Sequence, residues 1–228
     1  MKYKFTTNED SNVTAGVDND ISPGCIIVGT VNIGNNNKIR AFAAIGFAGE
    51  NRKHGNEPHG VVEIGNDNVI CEGAVIQSPC KGDVTIIGNN CMVAANSYIG
   101  HDAQLSDNVT ITAGAKLGGG VKLGKCANIG LNAVIHQGIE IGDYAMIGMG
   151  SVVTRPIPPF YKVAGNPAMV LGINRIGMER AGFTEREIGD IEKMVKPKQI
   201  WNGGLIAPAK MILEFKERNP NHIKKWKQ

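Results

Sequence analysis

A histidine, a glycine and an amide recur at one interval in this chain of 228 amino acids. His101, Gly119 and Gln137 follow one another every 18 residues, with His136 beside the last of them and Gly118, Gly119 and Gly120 forming a glycine turn. An imidazole titrates near neutrality, so His101 can take the proton of an attacking hydroxyl as a general base. The backbone N–H of Gly119, with no Cβ to block close approach, can stabilise the oxyanion formed from a thioester carbonyl. Asp102 can orient or polarise the His101 ring, although neighbours along a strand ordinarily face opposite ways. His136 stands one residue out of the column and is directed differently.

An interval of 18 has meaning only if the chain coils with that period. From Ile87 to Val153 an aliphatic residue occupies every sixth position: Ile87, Val93, Ile99, Leu105, Ile111, Leu117, Leu123, Ile129, Ile135, Ile141, Ile147 and Val153. Such a run is the mark of a hexapeptide repeat and predicts an all-β fold, a parallel β-helix, which in this known class of repeat is left-handed. Three hexapeptides make one triangular coil in this class of repeat, and coils stack about 4.8 Å apart. Residues 18 apart then lie above one another, which puts His101, Gly119 and Gln137 along one edge of a prism.

Earlier repeats run through Ile33, Ile39 and Ile45 and through Ile64, Ile70 and Ile76. Two insertions interrupt them. FAGENRKHGNEPHG, residues 47–60, is too polar and irregular for a coil and is expected to project as a loop, a usual place for function on a rigid scaffold; Pro79 to Asp83 is a smaller break. Pro156, Pro158 and Pro159 cannot donate ladder hydrogen bonds and are expected to end the repeats. The domain organisation read from this is a β-helix over residues 1–157 and a small C-terminal helical domain over 158–228. Thr184 and Glu187 make a capping box for a helix to Lys196, and a second helix is predicted over Ala207–Arg218. The basic ending NPNHIKKWKQ reads as a solvated tail.

Composition narrows the function. A net charge of +3 argues against nucleic acid as a partner, and the absence of both an apolar leader and a span of about 20 apolar residues predicts a soluble cytoplasmic protein without a membrane span. The five cysteines form no CxxC pair and no zinc-like cluster; Cys91 and Cys126 are expected to be small buried side chains. A three-histidine metal site lacks its third ligand in the column, so no metal is expected. Regular threonine ladders, which an ice-binding surface would need, are missing too.

Four segments carry a family resemblance: IGHDAQL (Ile99 to Leu105), HQG (His136 to Gly138), PPFYKVAGNPA (Pro158 to Ala168) and GINRIGMERAGFTEREI (Gly172 to Ile188). On these the chain resembles the UDP-N-acetylglucosamine acyltransferase family of lipid A and lipopolysaccharide biosynthesis. The resemblance implies a homotrimer with active sites between neighbouring β-helices and no bound cofactor. It implies acyl-CoA or acyl carrier protein as donor and a nucleotide sugar as acceptor. His101 falls on the family's catalytic base with Asp102 beside it, and Gly119 on the oxyanion glycine. His136 and Gln137 fall on active-site positions, Asn174 and Arg180 on positions near the nucleotide, and Met149 on the position that limits acyl length.

Several departures accompany the likeness. IQSP (Ile76 to Pro79) replaces IHRG, and Tyr98, Gly120 and Ala181 replace two histidines and an arginine. Met149 stands where a small residue suits long chains, which predicts a short acyl group. The alternative activity is N-acetylation of a UDP- or dTDP-amino sugar from acetyl-CoA for a surface polysaccharide.

Overall fold

The fold is that of a computed structural model and is described for residues 6–50, 57–195 and 207–220. Residues 51–56 of the early loop and the ending from residue 221 lie outside these residues. The repeats fold as a left-handed parallel β-helix whose short strands stack into three parallel sheets. One face stacks Val84–Ile87, Gln104–Leu105, Lys122–Leu123 and Glu140–Ile141; a second stacks Met92–Val93, Thr110–Ile111, Asn128–Ile129 and Met146–Ile147; the third stacks Val75–Gln77, Tyr98–Ile99, Lys116–Leu117, Val134–Ile135 and Val152–Val153.

The register is the predicted 18 residues: Ile99 pairs with Leu117, and Leu117 with Ile135. Each repeat aliphatic from Ile87 to Val153 is at most 2% exposed, so the sixfold spacing is the spacing of the core. Leu or Ile in that column contributes roughly 1.5–3 kcal/mol by burial, and a closed ladder satisfies the backbone beside it.

Corners are turned by residues at positive φ, and these also stack. One edge carries Asp67, Asn90, Asn108, Cys126 and Tyr144 in that conformation; another carries Gly73, Asn96, Gly114, Asn132 and Gly150; the third carries Asp102, Gly120 and Gly138. Asn and Asp tolerate the left-handed region better than other residues with a Cβ, which explains their frequency here. Cys126 stands at a corner and is half-buried, not enclosed in the core as expected; Cys91 is buried as expected.

The prolines do not stop the stack. Ile157 bridges in parallel to Ile141, Tyr161–Ala164 pairs in parallel with Met146–Ile147, and Met169–Ile173 adds an antiparallel strand. The boundary expected between residues 157 and 158 therefore falls within the stack. Pro158 and Pro159 sit where that face has its last rung, with no further strand to receive their missing N–H groups.

Among the described residues three helices follow: α1 (Arg175–Arg180), α2 (Glu185–Val195) and α3 (Ala207–Arg218). The capping box forms at α2, with Thr184 N–H donating to Glu187 at 2.8 Å and Glu187 N–H donating to Thr184 Oγ1 at 3.3 Å. Helix α1 was not among the expected elements. Phe160, Met178, Ile188, Ile191 and Ile212 make a second core against the end of the prism. Tyr144 stacks on Phe160 with centroids 5.5 Å apart, and Phe183 meets both rings edge-on.

Candidate active site

The corner after Tyr98–Ile99 brings His101 and Asp102 together. Asp102 has φ +59°, so the chain reverses there and the two neighbouring side chains meet instead of diverging. His101 Nδ1 and Asp102 Oδ2 are 2.6 Å apart, both side chains being largely buried. The carboxylate in turn accepts from backbone N–H groups of the 79–83 insertion: Gly82 at 2.7 Å, Lys81 at 3.2 Å and Cys80 at 3.3 Å. Burial favours the protonated acid. The His101 ring and these N–H groups outweigh it and hold the Asp102 carboxyl below the usual carboxylate range. Thr85, fully buried, accepts the Asp102 N–H through Oγ1 at 3.0 Å.

The other face of the ring lies on Gly119. A Cβ there would stand 2.3 Å from His101 Cε1 and 2.4 Å from Nε2. Glycine at 119 is thus a condition for the ring to occupy its place. Among the described residues the Gly119 N–H donates to no acceptor, and a Cβ at Gly100 would come within 2.8 Å of that nitrogen. An unpaired N–H and a held imidazole therefore adjoin one another.

Sequence reasoning missed what supports the ring. Gln77, 3% exposed, accepts the His101 N–H at 3.2 Å and donates to Ala48 C=O at 3.4 Å. Gly49 leans on His101 so closely that a Cβ would lie 2.6 Å from the ring's own Cβ. The start of the 47–60 loop thus packs over the site. Cys80 Sγ lies 3.7 Å from Asp102 Oδ2, a proximity that spacing did not suggest because the insertion changes the register. Tyr98 is pushed up to about 12 by burial and by Glu50, which also hydrogen-bonds it.

The other expected residues are placed less tightly. His136 and Gln137 are exposed one coil beyond Gly119, and His136 Nδ1 lies 3.0 Å from the Gln137 carbonyl oxygen. Met149 is 74% exposed on another edge, directly above Leu131, which is 47% exposed and was not singled out. Asn174 caps α1, accepting from Gly177 N–H at 3.2 Å and donating to Tyr144 C=O at 2.9 Å. Arg180 is exposed in the last turn of α1. Within one chain, Asn174 and Arg180 lie several rungs along the stack from His101.

Comparison with known proteins agrees with this architecture. Residues 157–217 match the second domain of UDP-N-acetylglucosamine O-acyltransferase, residues 84–119 match bacterial transferase hexapeptides, and residues 120–155 match the hexapeptide repeat of succinyl-transferase. An acyl-(acyl-carrier-protein):UDP-N-acetylglucosamine O-acyltransferase of Psychromonas ingrahamii is 50% identical over 178 residues, 77% of this chain and 68% of the relative. The chain belongs to the UDP-N-acetylglucosamine acyltransferase family. It spans 66% of the Anaeromyxobacter member, to which it is 33% identical over 75% of its own length. The solved UDP-N-acetylglucosamine acyltransferase from Campylobacter jejuni superposes with a TM-score of 0.83 at 26% identity, covering 93% of this chain and 86% of that chain.

Proposed function

We propose that the protein transfers a short acyl group from an acyl carrier protein or CoA thioester to a hydroxyl of UDP-N-acetylglucosamine or a close relative of it, in the cytoplasm. The observation that carries the reading is the His101–Asp102 pair seated on Gly119, whose own N–H has no acceptor among the described residues. His101 Nε2 takes the hydroxyl proton as the oxygen attacks the thioester carbonyl. The Gly119 N–H donates to the oxyanion, and the ionised Asp102 stabilises the imidazolium through Nδ1. Collapse expels the thiolate, which takes the proton back from His101, leaving an ester and a free thiol.

Asn174, Arg180 and Met149 enter this reaction from a neighbouring chain of a homotrimer. That assignment is supported by their separation from His101 along a single prism and by the family resemblance. His136 and Gln137 line the approach of the acyl donor and acceptor. Met149, on Leu131, narrows the acyl slot; a slot already filled discriminates against each added methylene by about 1–3 kcal/mol.

The test is mass spectrometry of UDP- and dTDP-sugars and amino sugars after incubation with acetyl-CoA, longer acyl-CoAs and 3-hydroxyacyl carrier protein. A short-acyl ester on UDP-N-acetylglucosamine is expected. A hydroxyacyl product would overturn the role given to Met149, and an amide formed only on an amino sugar would overturn O-acylation in favour of N-acetylation.

A further inference from the structure

Cys80, His101 and Asp102 present three different donor atoms, Sγ, Nδ1 and a carboxylate oxygen, all within 4.8 Å of one another. We propose that these residues form an inhibitory binding site for zinc. The ligand set is the argument for that ion. A thiolate, an imidazole and a carboxylate suit zinc, and three protein ligands leave its fourth position to water. Tetrahedral bonds of ordinary length place such donors about 3.3–3.6 Å apart. Cys80 Sγ and Asp102 Oδ2 are already 3.7 Å apart; the 2.6 Å His101–Asp102 pair has to open, and the ring and the thiol, which lie within 4.8 Å of each other, have to settle at the same spacing.

The surroundings favour the same arrangement. Asp102 Oδ1 is anchored by the 2.7 Å bond from Gly82 N–H, while Oδ2 faces both the ring and the thiol. Side-chain exposures of 13% for His101 and 14% for Asp102 leave a path for an ion. Zinc cannot be held here without altering the ring. Metal at Nδ1 leaves the neutral imidazole its proton on Nε2, so the nitrogen facing the acceptor hydroxyl becomes a donor and has no lone pair for the proton. The Cys80 thiol releases its proton to solvent, one for each ion bound. The inhibitory part of the proposal rests on His101 acting as the base; the ion site does not.

The experiment uses the full-length protein freed of metal with a chelator, titrated with zinc chloride and separately with cobalt(II) chloride. Expected are one zinc per chain, a cobalt–thiolate charge-transfer band, and loss of acyl transfer that the chelator reverses. Loss of an outer-shell partner costs a site about 10–100-fold in affinity, so Cys80→Ser, which removes a ligand, should weaken binding and inhibition by at least about tenfold. Because the substitution also alters the 3.7 Å contact between residue 80 and Asp102, the zinc-free activity of the variant is measured first and inhibition is read as a fraction of it. Equal zinc and cobalt behaviour in Cys80→Ser and the parent would overturn the site. A Cys80-dependent cobalt band with undiminished activity would retain the ion site and overturn both its inhibitory role and the reading of His101 as the base. Should Cys80→Ser fail to fold, as judged by circular dichroism, Cys80→Ala carries the same readings.

Discussion

Two edges of the prism share one backbone path and treat their donors differently. On the edge through Asn66, Asn89 and Asp107, an Asx side chain in one coil accepts the N–H of the coil before it: Asn66 N–H donates to Asn89 at 2.8 Å, Asn89 N–H to Asp107 at 2.7 Å, and further along Lys125 N–H to Asp143 at 2.7 Å. The equivalent positions on the third edge are His101, Gly119 and Gln137. There Gly119 has no side chain to accept from His101, so Gln77 does so from the other side, and Gln137 does not accept from Gly119. A capped donor holds the stack together, whereas an uncapped one is available to a substrate. The difference between scaffold and site lies in the missing acceptor at Gly119 and in the imidazole that occupies the space.

His101→Ala should separate the edges most sharply. General bases contribute about 10²–10⁴ to rate, so kcat is expected to fall by that factor while the melting temperature changes little. A second variant would convert the site edge toward the capped kind. In Gln137→Asn the side chain has the length used at Asn89 and Asp143, and it should accept the Gly119 N–H. The loss of one oxyanion donor costs about 10²–10³ in kcat, with a smaller change in KM; unaltered kcat would argue that the Gly119 donor is not used. Met149→Gly tests the slot on a third position. Acceptance of longer acyl chains should rise, each added methylene regaining about 1–3 kcal/mol of discrimination, as read from kcat/KM over an acyl series.

The scaffold edge should respond in the opposite sense. Asn89→Ala removes a cap on an exposed turn and is expected to cost about 0.5–1.5 kcal/mol in denaturant unfolding with kcat unaffected. The smallest expected effect concerns acid. Asp102 is held below its ordinary pKa, so its ionised form adds stability that is fully present above about pH 3.9 and is lost as pH falls through the lower folded-state value. Asp102→Asn should therefore show a shallower decline of stability with falling pH in that window than the parent protein.

Much of this is legible in the amino-acid sequence, for a physical reason particular to repeats. Each coil contacts its neighbours in a fixed register, so a spacing of six identifies the core and a spacing of 18 identifies what stacks, as Ile99 on Leu117 and His101 beside Gly119 illustrate. Local signals were equally direct where they act over a single turn, as at Thr184 and Glu187. Helix α1 gave no such signal: it has six residues and a glycine, and Asn174 is the cap that starts it. Strands continue past Pro156, Pro158 and Pro159, because a proline forbids only a donor, and at a last rung no donor is needed.

The coil, its core and the column in which the imidazole and the glycine meet all follow from an uninterrupted period in the amino-acid order. Tertiary structure decided whatever depends on the interruptions and on the direction of a side chain. The positive φ of Asp102 turns it toward His101, and the 79–83 insertion delivers three N–H groups and the Cys80 thiol to that carboxylate. The start of the 47–60 loop brings Gly49 against the ring. A period predicts what lies above what; it carries no information about segments that leave the period, and those segments surround the His101–Asp102 pair.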